Sequence, residues 1–253
     1  MKLAVVIPCY NEEKNIPLVL KRFHEVIGGR KIEVLFVNNG STDHSARVMD
    51  ELVPQYPFAR SIAVPVNQGY GYGILQGLKS ADADYIGWTH ADLQTDPADI
   101  VKAYALLQKR KQEKIFVKGF RRGRPAFDEL FTKGMGLFES IYFGTPLWDI
   151  NAQPNIFPVD FFNSWINPPY DFALDLYALY MAKRQGVKVV RFAVDFPKRI
   201  HGESKWNTDG LKSRWKFIKR TLKFSRELKH SFKEDKGFEK HIFSKTRKEQ
   251  NEK

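Results

Sequence analysis

Cysteine is almost absent from this chain: Cys9 is the only one in 253 residues. An internal disulfide is excluded, and one thiol fits a reducing, cytoplasmic setting. Long apolar runs are missing as well. No stretch reaches about 18 consecutive apolar residues, so no membrane-spanning helix is expected. The short apolar run Leu3 to Ile7 is not followed by a small-residue cleavage pattern, and reads as a first strand and not as a leader. There is no internal repeat. Phosphate-binding glycines are lacking after that strand, where the loop is Pro8-Cys9-Tyr10-Asn11-Glu12-Glu13. Gly69-Tyr70-Gly71-Tyr72-Gly73 would need glycine at Ile74 or Gln76 to complete G-x-G-x-x-G. These gaps argue against a dinucleotide-dependent dehydrogenase and against a nucleotidyltransferase, which opens on a Gly-rich basic loop.

Charge is present in excess but in one place. The formal net charge is +12, yet from Leu211 to Lys253 there are 15 Lys/Arg against 6 Asp/Glu, leaving 26 against 23 before it. On a helical wheel Leu211, Trp215, Phe217, Ile218, Leu222, Phe224 and Leu228 share one half. Lys212, Lys216, Lys219, Arg220, Lys223 and Arg226 occupy the other. A basic amphipathic helix of this kind lies on an anionic membrane surface or packs on its own protein. The first alternative implies a cytoplasmic protein peripheral on the inner face of the cell membrane. No specific nucleic-acid partner is indicated. The division expected is residues 1–210 as one domain and 211–253 as the helix, with a frayed tail from about Phe232.

The first 200 residues alternate short β-branched runs with amphipathic stretches. Strands are expected at Leu3–Ile7, Glu33–Val37, Ser61–Val64, Tyr85–Trp88, Lys114–Gly119 and Val187–Val194. Helices are expected over Asn15–Val26, His44–Pro54 (capped by Ser41 or Thr42), Gly69–Lys79, Asp99–Lys111 and Ala173–Gln185. Such alternation predicts an α/β fold, a mostly parallel sheet flanked by helices, with ligands beyond the C-terminal strand ends. Pro8, Asn38 and His90 fall there. Arg121–Pro169 carries no clear periodicity and is expected to supply loops over the site.

Four blocks, "VVIPCYNEEKNI", "VLFVNNGSTDHS", "NQGYGYGILQGLKSADADYIGWTHADLQTDP" and "RIHGESKW", stand in order from Val5 to Trp206. Together they resemble the inverting family 2 glycosyltransferases of GT-A fold, in the branch with dolichol-phosphate mannosyltransferase and its bacterial polyprenyl-phosphate relatives. The resemblance implies transfer of a sugar from a nucleotide-diphosphate donor to a polyprenyl phosphate. A glycan hydroxyl acceptor, or binding of the nucleotide sugar without catalysis, is the alternative.

The same resemblance implies roles for individual residues. Pro8, Tyr10, Glu12 and Asn39 would form the nucleoside pocket, although Glu12 also suits a helix cap. Gly71 and its neighbours suit close backbone packing near the nucleotide or against a helix. Ala91, Asp92 and Gln94 match the metal loop, with His90 where the family carries its first Asp. A divalent ion would offset charge on the leaving diphosphate, and imidazole in the set favours Mn²⁺ over Mg²⁺. Arg121, with Arg122, Arg124 and Lys118, forms a candidate phosphate patch. Asp149 is the candidate base or acceptor-positioning carboxylate, with Asp171 and Asp175 behind it. Arg199 and Lys205 would close over the diphosphate. The family's paired Asp is Asn38-Asn39 here, and its Gly-rich acceptor loop is Pro154-Asn155.

Overall fold

The computed structural model describes residues 1–110, 112–197 and 211–234. Apolar strands and one-sided helices alternate through the first half. β1 (Leu3–Cys9) is buried from Leu3 through Ile7 and pairs in parallel with β2 (Ile32–Asn39) on one side. On the other side it pairs in parallel with β4 (Tyr85–Trp88). A strand with parallel neighbours and covered faces has no polar side, which is why its sequence is continuous and not alternating. β3 (Ala59–Val64) lies outside β2 and is longer than its sequence suggested.

Helices cover this sheet with single apolar stripes. α1 (Ile16–Ile27) buries Ile16, Val19, Leu20, Phe23 and Ile27, an i, i+3, i+4, i+7 face. Truncating Phe23 to alanine would cost about 3–5 kcal/mol through the cavity left behind. α2 (Ser45–Leu52) and α3 (Tyr70–Lys79) follow β2 and β3. The start of α2 is not capped by Ser41 or Thr42. Asp43 Oδ1 accepts the Ser45 N–H at 2.9 Å, and the two hydroxyls instead bond Asn11 across the loop. α4 (Pro97–Lys109) begins two residues before the expected start, because Asp96 accepts the Ala98 N–H at 2.9 Å and Pro97 occupies the first turn.

The second half departs from simple alternation. β5 (Ile115–Arg122) is followed by α5 (Ala126–Phe143), β6 (Asn155–Pro158) and α6 (Val159–Asn163), then α7 (Leu174–Arg184) and β7 (Lys188–Asp195). The sheet runs β3-β2-β1-β4-β6-β5-β7. β6 is antiparallel to both neighbours and the other pairings are parallel. At Gly119 a Cβ would collide with the Gln153 carbonyl, so only glycine lets the segment entering β6 pass so close to β5.

The chain divides into two units, Met1–Gly202 and Glu203–Lys253. Described within the second is α8 (Leu211–Glu234), which stays helical past Phe232, into the stretch expected to fray. Lys219, Lys223 and Arg226 are exposed along it, and Leu228 is buried. No described helix is long and apolar enough to cross a membrane.

Candidate active site

The C-terminal ends of β1, β2 and β4 meet at one edge, and the loops there are tied together. Asn11, in the left-handed region at φ 59°, accepts the Thr42 N–H on Oδ1 at 2.8 Å and donates from Nδ2 to Thr42 Oγ1. The Glu12 N–H donates to Ser45 Oγ at 2.8 Å, and Glu12 Oε2 accepts from Asn15 Nδ2 at 2.6 Å. The Glu12 carboxylate thus holds the Asn15 side chain, while its backbone carbonyl accepts the Asn15 and Ile16 N–H groups at the start of α1, which has no side-chain cap. Pro8 and Tyr10 are half-buried beside it. Asn39 is 3% exposed; its Nδ2 donates to the Gly69 carbonyl at 2.8 Å, and its buried Oδ1 has no hydrogen-bond partner among the described residues.

The start of α3 is locked against a segment a hundred residues away. The Tyr72 N–H donates to the Tyr170 carbonyl at 3.0 Å. A Cβ on Gly71 would lie 2.6 Å from Pro169 O and 2.7 Å from Asp171 O. Gly71 is thus explained by this backbone contact. Tyr70, which the sequence did not mark, stacks on Phe172 with centroids 4.5 Å apart, and the His90 ring lies 6.0 Å away on Tyr70.

Beyond β4, Ala91 is buried and Asp92 is 6% exposed, with Oδ1 accepting the Gln94 N–H at 3.1 Å. Gln94 Nε2 donates to the Pro197 carbonyl at 3.1 Å, which ties the end of this loop to the segment after β7. His90 is half-buried and makes no hydrogen bond among the described residues. No group of three His, Cys, Asp or Glu forms a ready metal cage among the described residues. His90 and Asp92 are an imidazole and a carboxylate, residue types suited to a transition-metal ion.

On the other side of the mouth Asp149, at φ 43°, closes on Arg121. It accepts the Arg121 backbone N–H at 2.7 Å, Nε at 2.8 Å and also Nη2. Burial would raise the Asp149 pKa, but the Arg121 charge and these three hydrogen bonds hold it below the usual carboxylate range. Of the two roles expected of Asp149, a lowered pKa and a closed ion pair suit acceptor positioning better than proton abstraction. The expected patch is corrected too. Lys118 is fully buried, donating to Ala152 O at 2.7 Å and to Asn155 Oδ1. Arg124 donates to Asp128 O and Thr132 Oγ1 at the start of α5, while Arg122 is exposed over the Phe120 ring.

Below Asp149 lies a polar layer that the sequence reading missed. Asp175 Oδ1 accepts from Gln153 Nε2 at 2.7 Å and Asn155 Nδ2 at 2.8 Å. Burial raises the Asp175 pKa, with Lys118 and His90 acting in the opposite direction. Burial likewise lowers that of Lys118 to about 7. The available signal was a lysine set between the apolar run Ile115-Phe116-Val117 and Gly119-Phe120. Asp171 is a local cap, accepting the Ala173 N–H at 2.9 Å. Arg199 and Lys205 lie outside the described residues.

An α/β sheet with one antiparallel strand and a polar mouth at its C-terminal edge is the GT-A architecture. Glucosyl-3-phosphoglycerate synthase from Mycobacterium tuberculosis, solved with Mn²⁺ and UDP-glucose, matches with a TM-score of 0.66 and 20% identity. That match covers 88% of this chain and 79% of the synthase. Its complex with Mg²⁺ and UDP matches at 0.63 and 20% identity, covering 84% and 75%. The family model Glycosyl transferase family 2 matches residues 4–166, and the chain belongs to that family. Undecaprenyl-phosphate 4-deoxy-4-formamido-L-arabinose transferase of Photorhabdus laumondii is 35% identical over 136 residues, 52% of this chain and 40% of that protein. The same-named Klebsiella pneumoniae protein is 35% identical over 108 residues, 41% and 33%. The matched region thus spans less than half the length of these relatives.

Proposed function

We propose that this protein transfers a sugar, with inversion, from a nucleotide diphosphate to a polyprenyl phosphate. The observation carrying this reading is the closure of Asp149 on Arg121. A hydroxyl acceptor must lose a proton as it attacks, whereas a phosphate is already anionic and needs no base. In the proposed step an acceptor phosphate oxygen attacks the anomeric carbon from the face opposite the diphosphate. The carbon–oxygen bond to the diphosphate breaks, and its electron pair leaves with the nucleoside diphosphate. Arg121, oriented by Asp149, would present positive charge to the acceptor. Its relatives named for undecaprenyl-phosphate sugar transfer support the same acceptor class.

On the donor side, Pro8 and Tyr10 would flank the base, and the unpartnered Asn39 Oδ1 would accept a ring N–H such as that of uracil or guanine. Asp92, with His90 and Gln94, would hold a divalent ion, Mn²⁺ in preference to Mg²⁺. Bound there, the ion would offset charge gathering on the leaving diphosphate. Solved GT-A neighbours containing Mn²⁺ or Mg²⁺ support a metal. Arg199 and Lys205 are proposed to add charge to the same diphosphate.

A lipid acceptor also accounts for α5. Phe127, Leu130, Leu137 and Ile141 are 56%, 69%, 63% and 74% exposed, and the helix begins next to Arg121–Arg124. An apolar face running from a basic end suits an amphiphile with an anionic head. Residues 1–210 would be the catalytic domain and 211–253 a basic appendage on the membrane surface. Transfer to a glycan hydroxyl is the second reading. It is favoured by Asp175, whose pKa burial raises and whose Oδ2 receives no hydrogen bond from described residues.

The test is a panel of nucleotide sugars with polyprenyl phosphate or with soluble glycans, in Mn²⁺. Sugar extracted with the lipid, together with released nucleoside diphosphate, is the expected result. Transfer to glycans alone, or none with any donor, would overturn it.

A further inference from the structure

Three cations on two neighbouring strands hold one short loop. Lys118 and Arg191 are directly paired across β5 and β7, and Lys118 is paired with Asn155 across β5 and β6. Arg191 donates from Nη2 to Trp148 O at 2.6 Å and stacks 3.9 Å from the Trp148 ring centroid. Arg121 grips the Asp149 carboxylate. Lys118 Nζ takes Ala152 O at 2.7 Å, and the Ala152 N–H donates back to Asp149 O at 3.1 Å. Residues 148–152 are therefore held at their start, middle and end.

Lys118 is the member with no exposed surface, and burying an ammonium is costly unless its site repays it with partners. The facing groups are Asp175 on α7, Asp149 in the loop, Arg121 on its own strand and Arg191 on β7. A purely apolar side chain would continue the Ile115–Val117 run with less penalty. The hydrogen bonds that only a donor can supply are those to Ala152 O, a loop carbonyl, and to Asn155 Oδ1 at the start of β6.

We propose that Lys118 is a positioning residue for acceptor binding: its ammonium fixes the 148–152 loop, through Ala152 O and Asn155, so that Asp149 and Arg121 meet the acceptor. Lys118 touches no substrate itself. The assignment of this side of the mouth to the acceptor rests on the function proposed above, while the clamping of the loop does not.

The experiment compares wild type with Lys118→Met and Lys118→Gln. Amide hydrogen exchange is measured first, without substrates. Exchange across residues 148–153 should accelerate about tenfold in Lys118→Met, the equivalent of one lost hydrogen bond to a charged group, with β1, β2 and α1 unchanged. Lys118→Gln, which keeps a donor, should recover part of the protection. Acceptor KM, read with farnesyl phosphate as a short polyprenyl phosphate, should rise about tenfold with donor KM unchanged. Unchanged loop exchange overturns the proposal, as does an equal rise in both KM values. If wild type transfers to neither farnesyl phosphate nor a long-chain polyprenyl phosphate, the function proposed above fails. The exchange comparison then decides the loop clamp by itself.

Discussion

The Arg121 guanidinium and the Asp149 carboxylate form a closed pair, with Nε 2.8 Å from Oδ1 and the Arg121 N–H 2.7 Å from Oδ2. Both side chains are about one-eighth exposed, so water screens the pair little. The pair joins the end of β5 to the loop before β6 and fixes the direction in which Arg121 faces.

Asp149→Asn removes the charge from this pair and should cost about 2 kcal/mol or more at neutral pH. Because the folded pKa of Asp149 is lowered, its contribution is fully present above the unfolded value of about 3.9. It is lost as the pH falls through the folded value. Denaturant midpoints of wild type and Asp149→Asn should therefore differ at pH 7 and converge below about pH 4. A gap that persists in acid would contradict the ion pair.

Gly71→Ala tests the seam between α3 and the 169–171 segment. The added methyl would sit 2.6 Å from Pro169 O and 2.7 Å from Asp171 O, both backbone atoms with little room to retreat. Overpacking of this kind costs about 1–3 kcal/mol. The melting temperature should fall by several degrees, measured without nucleotide. An unchanged melting temperature would show that the seam is loose.

His90→Asp restores a carboxylate at the head of the loop Thr89–Gln94. Wild type should work better with Mn²⁺ than with Mg²⁺, and the variant should shift toward Mg²⁺. Mn²⁺ binding in the presence of nucleoside diphosphate, followed by electron paramagnetic resonance, supplies a readout separate from turnover. Equal activity in both metals, untouched by the substitution, would remove His90 from the site.

Leu137→Glu with Ile141→Glu places charge on the open face of α5. Both positions are exposed, so the fold should change by no more than about 0.5 kcal/mol. Sedimentation with anionic vesicles and transfer to a long-chain polyprenyl phosphate should both drop about tenfold or more. Deleting residues 211–253 should weaken vesicle binding without altering nucleotide-sugar affinity. Retained binding in either variant would strike that element from the membrane surface.

Much of the first half was legible because its constraints are local. The run at Leu3–Ile7 and the stripe of α1 each announce themselves within a few residues, whereas the start of α4 was placed two residues late, at Asp99 instead of Pro97. The segments around Asn39 and Asp92 likewise lie at the C-terminal ends of β2 and β4, where the alternation of strands and helices puts them. The second half was opaque for a physical reason. β6 is a short strand, and its burial comes from β4 and β5, which lie far earlier in the chain. α5 defeats pattern reading because its apolar face is exposed while Glu139 is buried. Lys118 was placed with the basic residues of a phosphate patch, since a sequence does not show whether an ammonium faces water or a carbonyl. Asp149 was recognised as important, but the hydrogen bonds that make it a poor base come from Arg121, 28 positions away.

The central position of β6 has a consequence for how the chain is made. β1, β2, β3 and β4 can pair as soon as about 90 residues have left the ribosome, since each finds its neighbour among residues already present. β5 cannot. Its two neighbours are β6 and β7, and both are synthesised after it. Between the emergence of residue 122 and that of residue 158, the run Ile115-Phe116-Val117 has no partner strand to cover it. The order of strands in the sheet thus makes pairing of β5 wait for chain that is made at least 33 residues later.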